Sequence, residues 1–167
     1  MFFSSCEVKI DRIDGFDILT LPSLSGKNIN TVFTDSGKVQ LIMSSPVMET
    51  WDNLGNSYTE FRRGMKIEFF DGQKEPVADV VAKYAKYVDK EKLWELNDSV
   101  VVVNKSGDKL ETEQLFWDQE KELIFTERFV KITNENQTVM GTGFESDPKL
   151  TRRRIKNVTA TIYLDDE

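Results

Sequence analysis

Apolar and polar residues alternate along most of this chain, and glycine turns punctuate the alternation. In Gly64-Met65-Lys66-Ile67-Glu68-Phe69, Met65, Ile67 and Phe69 fall on one face and Lys66 and Glu68 on the other. That is the period of a half-buried strand. Asp71-Gly72 then turns the chain, and Asp35-Ser36-Gly37 and Ser106-Gly107 are turns of the same kind. Their glycines are 35 residues apart each time (72 − 37 and 107 − 72). A second offset, of 30, lays Leu93 over Leu123 and Val100 over Val130. A loose period in this range predicts stacked β-hairpins rather than a doubly wound α/β core.

The strands follow from this pattern. Lys38 to Met43 is a strand after the first turn, and Pro46 restricts the next run to a sheet edge or a strand start. Val77 to Val88 fits both a helix stripe (Val77, Val80, Val81, Tyr84, Val88) and a strand face (Val80, Ala82, Tyr84). The repeat decides for strand, because the matching segment after Gly107 (Leu110, Thr112, Gln114) makes a poor helix. Leu93 to Leu96 is expected to pair with Ser99 to Asn104 through a turn at Asn97-Asp98. Val100 to Val103 has no polar face, so both faces are expected to be covered, or the run to cross the interior. Leu110 to Trp117, Leu123 to Thr126, Phe129 to Thr133, Thr138 to Phe144 and Arg154 to Leu164 complete the set. Links of this short length join antiparallel neighbours. The predicted class is all-β: an elongated, open antiparallel arrangement of stacked hairpins. Residues 1–30 read as a tether and first edge segment, and 31–167 as the folded domain.

Composition narrows the chemistry. At 167 residues the chain can bury a real core. It carries 22 Lys and Arg against 29 Asp and Glu, a formal charge of −7. This argues against nucleic-acid binding, which rests on clustered cations. The basic run Arg152-Arg153-Arg154 reads as a solvated strand end rather than a phosphate patch. There is no histidine, which removes Ser-His and Cys-His nucleophile pairs and most transition-metal sites. The acidic residues mostly alternate with apolar ones, as solvent faces do. An enzyme is the least favoured reading, and no cofactor or metal is expected. The Asn-x-Ser/Thr triplets at Asn97, Asn136 and Asn157 are chance-level matches.

The single cysteine, Cys6, follows Phe2-Phe3-Ser4-Ser5, which looks like the end of a lipobox without its upstream apolar run. Two readings stay open: the chain starts within a longer precursor, or Cys6 is an ordinary thiol. The alternating residues Met65, Ile67, Phe69, Leu115, Trp117, Ile124, Val130, Ile132 and Met140 are expected to form one inward apolar stripe. That stripe is either a filled core or an open groove for acyl chains, which gain roughly 0.8 kcal/mol per buried CH₂. An open sheet also leaves edge strands able to accept a strand from another protein.

At several phrases the chain resembles a known family. Trp94-Glu95-Leu96, Val100 to Asn104, Leu110 to Asp118, Val130-Lys131-Ile132 and Gly141-Thr142-Gly143-Phe144-Glu145-Ser146-Asp147 closely resemble the LptC family of lipopolysaccharide-export proteins. Tyr58 to Gly64 and Asp35-Ser36-Gly37 look like further parts of the same pattern, over roughly residues 30–164. The resemblance implies a twisted, open β-jellyroll with an apolar cleft in the Gram-negative periplasm. It implies that lipopolysaccharide is received from the inner-membrane ABC transporter LptB–LptF–LptG, which hydrolyses the ATP. The cargo then passes to the bridge protein LptA by way of edge-strand pairing, with no bond made or broken. It favours lipidation of Cys6 as the inner-membrane anchor, where many relatives use a transmembrane helix. The Val158 to Leu164 strand becomes the expected edge for LptA, and Val39 to Met43 the side facing the transporter. Two other readings compete. A carbohydrate-binding β-sandwich would need Trp51, Trp94 or Trp117 exposed on one face, and a structural β-solenoid would have a filled core and no ligand.

Overall fold

A computed structural model describes residues 21–163, apart from Leu54, Gln73 and Lys149. Cys6 and Leu164 lie outside the described residues, as do the first twenty positions. The chain forms β1 (Leu24–Asp35), β2 (Lys38–Asn53), β3 (Asn56–Phe61), β4 (Met65–Phe69), β5 (Ala78–Ala82) and β6 (Tyr84–Val88). It continues with β7 (Leu93–Asn104), β8 (Lys109–Asp118), β9 (Leu123–Thr133), β10 (Gln137–Ser146) and β11 (Arg153–Tyr163). All belong to one antiparallel sheet that does not close into a barrel.

The order of pairing reveals a simple meander. β4 pairs with the first half of β2 and β3 with the second half, so β3 and β4 are one long strand broken at Arg62–Gly64. β5 and β6 are likewise one strand broken at Lys83, and each half pairs with a half of β7. The Val77 to Val88 segment is therefore strand, as the repeat predicts. Gly37, Gly72 and Gly107 turn the chain at one end of the sheet, where Phe70 N–H bonds Gln40 O (2.8 Å) and Lys105 N–H bonds Val77 O (2.8 Å). The 35-residue spacing is thus one outward and one return strand.

Each of these long strands is bent near its middle, and the bends line up. β1 and β2 leave Asn28 and Pro46 without ladder partners. β7 breaks register against β8 between Asn97 and Val100, where Asp98 and Ser99 adopt positive φ. β8 and β9 slip between Thr112 and Phe116, and β9 and β10 at Thr142/Phe144. Bulges of this kind bend and twist a strand locally. Here they crease the sheet into two leaves. Phe69 aligns through Ala78 with Asn104, beside the start of β8, whereas Trp117 lies near the far end of β8. In a flat sheet the two would sit about 14 Å apart across the strands and more than ~20 Å apart along them. Their rings instead meet edge to face at 5.4 Å. The sheet has folded so that one leaf faces the other.

Buried hydroxyls stitch the crease. Ser45 Oγ donates to Gly64 O (2.8 Å) and accepts from Val47 N–H. Thr112 Oγ1 donates to Phe129 O (2.8 Å), and Thr126 Oγ1 accepts from Arg128 N–H (3.0 Å). Lys83 N–H reaches Asp98 O (3.0 Å). Each bond satisfies a backbone group that a bulge removes from the ladder. Gly64 combines strain with crowding: its φ is +82°, and a Cβ there would stand 2.7 Å from Ala82 O.

Four sequence expectations change here. Asn97-Asp98 is not a hairpin turn: Leu93 to Asn104 is one strand, with the polar pair forming the bulge. Leu123 to Thr126 and Phe129 to Thr133 are likewise joined as β9. Pro46 stands in the middle of β2 rather than at an edge or strand start. It is tolerated because its missing N–H falls at the crease, where β2 changes partner from β4 to β3. The Val100–Val103 run is buried on one side only: Val100 and Val102 enter the core while Val101 and Val103 are half-covered.

Gly64→Ala should lower unfolding free energy by about 2–3 kcal/mol, from φ strain plus the clash with a backbone carbonyl. Gly107→Ala, also at positive φ but with open space around its Cβ position, should cost only about 1 kcal/mol. Urea titration of both variants checks this, and equal costs would contradict a crease at Gly64.

Candidate functional site

The space between the leaves is the candidate site. Its walls are built by strict rows: Trp94, Leu96, Val100 and Val102 from β7, Leu110, Leu115 and Trp117 from β8, Ile124, Val130 and Ile132 from β9. Across the crease the inward positions step by four in β7 and β9 (96 to 100, 126 to 130). They step by three in β8 and β10 (112 to 115, 141 to 144). β7 and β9 thus carry one more residue at the bend, and the extra residue reverses the alternation in their neighbours.

Eight of the nine expected stripe residues meet in this interior. Met65, Ile67, Leu115, Ile124, Val130 and Ile132 are buried in one apolar cluster, and Phe69 and Trp117 pack against it half-buried. Met140 does not join them. It pairs with Lys131, on the outer face. Strict alternation would set Met140 on the same side as the buried Phe144, but the bulge at Gly143 reverses the phase between them. Met43, Phe61, Trp94, Leu96, Val100, Val102, Leu110 and Phe144 were missed. For four of these a signal existed: the 30-residue offset lays Trp94, Leu96, Val100 and Val102 over Ile124, Thr126, Val130 and Ile132.

The interior is packed in the middle and open at both ends. Phe61 stacks on Trp94 at 5.7 Å, and Tyr87 lies 4.8 Å from the same ring. Towards β1 the inner face continues as Ile29, Thr31 and Phe33, opposite Ser45, Met43 and Leu41, with Phe33 47% exposed. Towards β11 it continues as Ile155, Val158 and Tyr163, opposite Phe144, Gly141 and Gln137. Val158 is 58% and Tyr163 74% exposed. Along the mouth, where the free margins of the leaves approach, an apolar hollow of about 210 Å³ lies among Leu41, Phe69, Val77, Ala78, Trp117 and Pro148.

Charge is kept outside. Lys109, Glu111 and Lys131 form an outer-face ladder, and the hydrogen bond from Lys109 holds the Glu111 carboxyl below its ordinary range. Burial, followed by the hydrogen bond to Glu60, raises the Tyr84 hydroxyl well above its usual range. Arg153 bonds Asp108 (2.7 Å) and Arg152 N–H bonds Asp147 (2.6 Å), so the arginine run is tied into loops and margins. Of the three tryptophans, Trp94 and Trp117 point inward. Trp51 lies on the outer face, stacked on Tyr58 with the Arg62 guanidinium 5.3 Å from its ring centroid. A carbohydrate platform of exposed tryptophans is not assembled.

A creased antiparallel sheet enclosing an apolar interior, with β1 and β11 at its two edges among the described residues, defines an open β-jellyroll. The family model described as "Lipopolysaccharide-assembly, LptC-related" matches residues 20–164, and the chain belongs to that family. No curated protein matches it at a significant level. Membership makes this a non-enzymatic transport protein of lipopolysaccharide assembly in the cell envelope, working with lipopolysaccharide and the Lpt machinery.

Val130→Ala should cost about 1–3 kcal/mol, because it removes buried methyls from a fully enclosed position. Met140→Glu should stay within about 1 kcal/mol of the parent, since the new carboxylate would face water beside Lys131. Paired thermal melts test the register: a collapse of Met140→Glu would place that residue inside.

Proposed function

We propose that the space between the leaves carries the acyl chains of lipopolysaccharide from the inner-membrane transporter LptB–LptF–LptG to the bridge protein LptA. The observation that carries this reading is the continuity of the inner apolar face from Phe33 on β1 to Tyr163 on β11, exposed at both terminal strands. A lipid with several chains cannot cross water unaided, since each exposed CH₂ costs roughly 0.8 kcal/mol. A groove walled mainly by apolar side chains keeps the chains covered without binding any one position tightly. Sugars and phosphates stay in water, which suits a chain of net charge −7.

Both ends have the edges a relay requires. Among the described residues, β1 pairs only with β2, and β11 only with β10. Each leaves a row of free N–H and C=O groups for strand addition. The β11 edge, including Val158, is assigned to LptA. The β1–β2 end, around Val39 to Met43, is assigned to the transporter, with lipidated Cys6 as the membrane attachment.

Photoreactive residues at Phe69, Trp117 and Ile132 should give ATP-dependent lipopolysaccharide adducts in cells, with none at Lys66 or Glu113. A folded protein that yields no adduct at any of the three would return the interior to a filled core.

A further inference from the structure

The interior is closed more tightly than its proposed cargo allows. The hollow at the mouth is about 210 Å³, smaller than the ~300–1,000 Å³ of ordinary ligand pockets. Phe69 and Trp117 touch across it. Leu150, in the β10–β11 connection, is buried in the same apolar cluster. For chains to enter between the leaves, their margins must part.

A polar contact joins those margins. Arg153, the first residue of β11, pairs with Ser146 at the far end of one leaf. Asp108 belongs to the β7–β8 turn at the far end of the other. Arg153 Nη1 nevertheless lies 2.7 Å from Asp108 Oδ2. The pairs Lys66–Glu68, Lys109–Glu111 and Lys121–Asp118 lie each within one leaf; this one crosses between them. Asp108 is set rigidly for it. Asn104 Oδ1 accepts both the Ser106 and Asp108 N–H groups (3.0 Å each), and Asn104 Nδ2 donates to Asp108 Oδ2 (3.1 Å). The carboxylate is presented on a fixed turn, while the arginine side chain, 32% exposed, reaches it across the mouth.

We propose that Asp108 and Arg153 form a clasp that holds the two leaves together when no lipid is bound and releases when an acyl chain enters. The clasp rests on the carrier reading above. A partly exposed ion pair suits the task, because water can take over both charges as it opens. An apolar bridge at the same place would expose new apolar surface each time. The aligned bulges supply the hinge, so opening needs no break in the ladders within either leaf.

The test uses the full chain with Cys6→Ser, Asp108→Cys and Arg153→Cys, and fluorescently labelled lipid A as probe. Joined by a short bismaleimide, the two cysteines should reduce lipid A binding at least about ten-fold, while the unjoined protein, which lacks the ion pair, binds at least as tightly as the parent. Equal binding by joined and unjoined protein would overturn the clasp and leave the carrier reading standing. No binding by the parent or the unjoined protein would overturn the carrier reading and the clasp with it. In a second measurement, Asp108→Arg and Arg153→Asp should each speed lipid A uptake about five-fold. The charge-swapped double variant should return uptake to near the parent rate. Unchanged uptake in both single variants, with folding verified by thermal melts, would also sink the proposal.

Discussion

The crease is the constraint on which the rest of this structure depends. A meander of long antiparallel strands, left straight, would make a broad sheet with one wet and one apolar face and nothing to cover the latter. The aligned bulges turn that sheet on itself, so its apolar face becomes its own cover. The bend removes backbone groups from the ladders, and the buried hydroxyls of Ser45, Thr112 and Thr126 take up the orphaned partners. Leaving such groups unpaired would cost about 1–3 kcal/mol apiece, enough to flatten or melt the bend.

Folding a sheet over differs from closing it into a barrel in what happens to the edges. A barrel has none. Here, among the described residues, β1 and β11 are unpaired on one side, and their inner faces keep Phe33, Val158 and Tyr163 in contact with water. Exposed apolar residues on a free edge are an aggregation hazard. They are consistent with a protein whose ends are meant to be met by others in a transport machinery. The packed centre supplies fold stability, while the ends leave apolar surface exposed.

On the proposed carrier function, the two-leaf arrangement puts stability and transport in tension. The same side chains that hold the leaves together would have to yield to cargo. A core made of interlocking aliphatic and aromatic groups from two hinged walls can exchange protein contacts for lipid contacts of similar chemistry. A core sealed by buried ion pairs could not, because each exchange would strand a charge in an apolar medium.

Much of this was legible in the residues themselves. The 35-residue glycine spacing marked the hairpin ends, and the repeat chose strand for Val77 to Val88 where the spacing also fitted a helix. The alternation of Met65, Ile67 and Phe69 matches the inward positions of β4 because that strand is short and lies wholly on one side of the crease. Errors cluster where alternation crosses the bend: Asn97-Asp98 looked like a turn, Pro46 like a strand start and Met140 like a wall residue. A period of two is a local property of an extended backbone, so sequence alone determined the strands, the turns and the apolar content of one face. Where a bulge inserts its extra residue depends on which backbone groups the adjacent strand leaves unpaired. Only the tertiary structure could therefore decide the phase of each strand beyond the bend, the folding of one sheet into two leaves, and the meeting of Phe69 with Trp117.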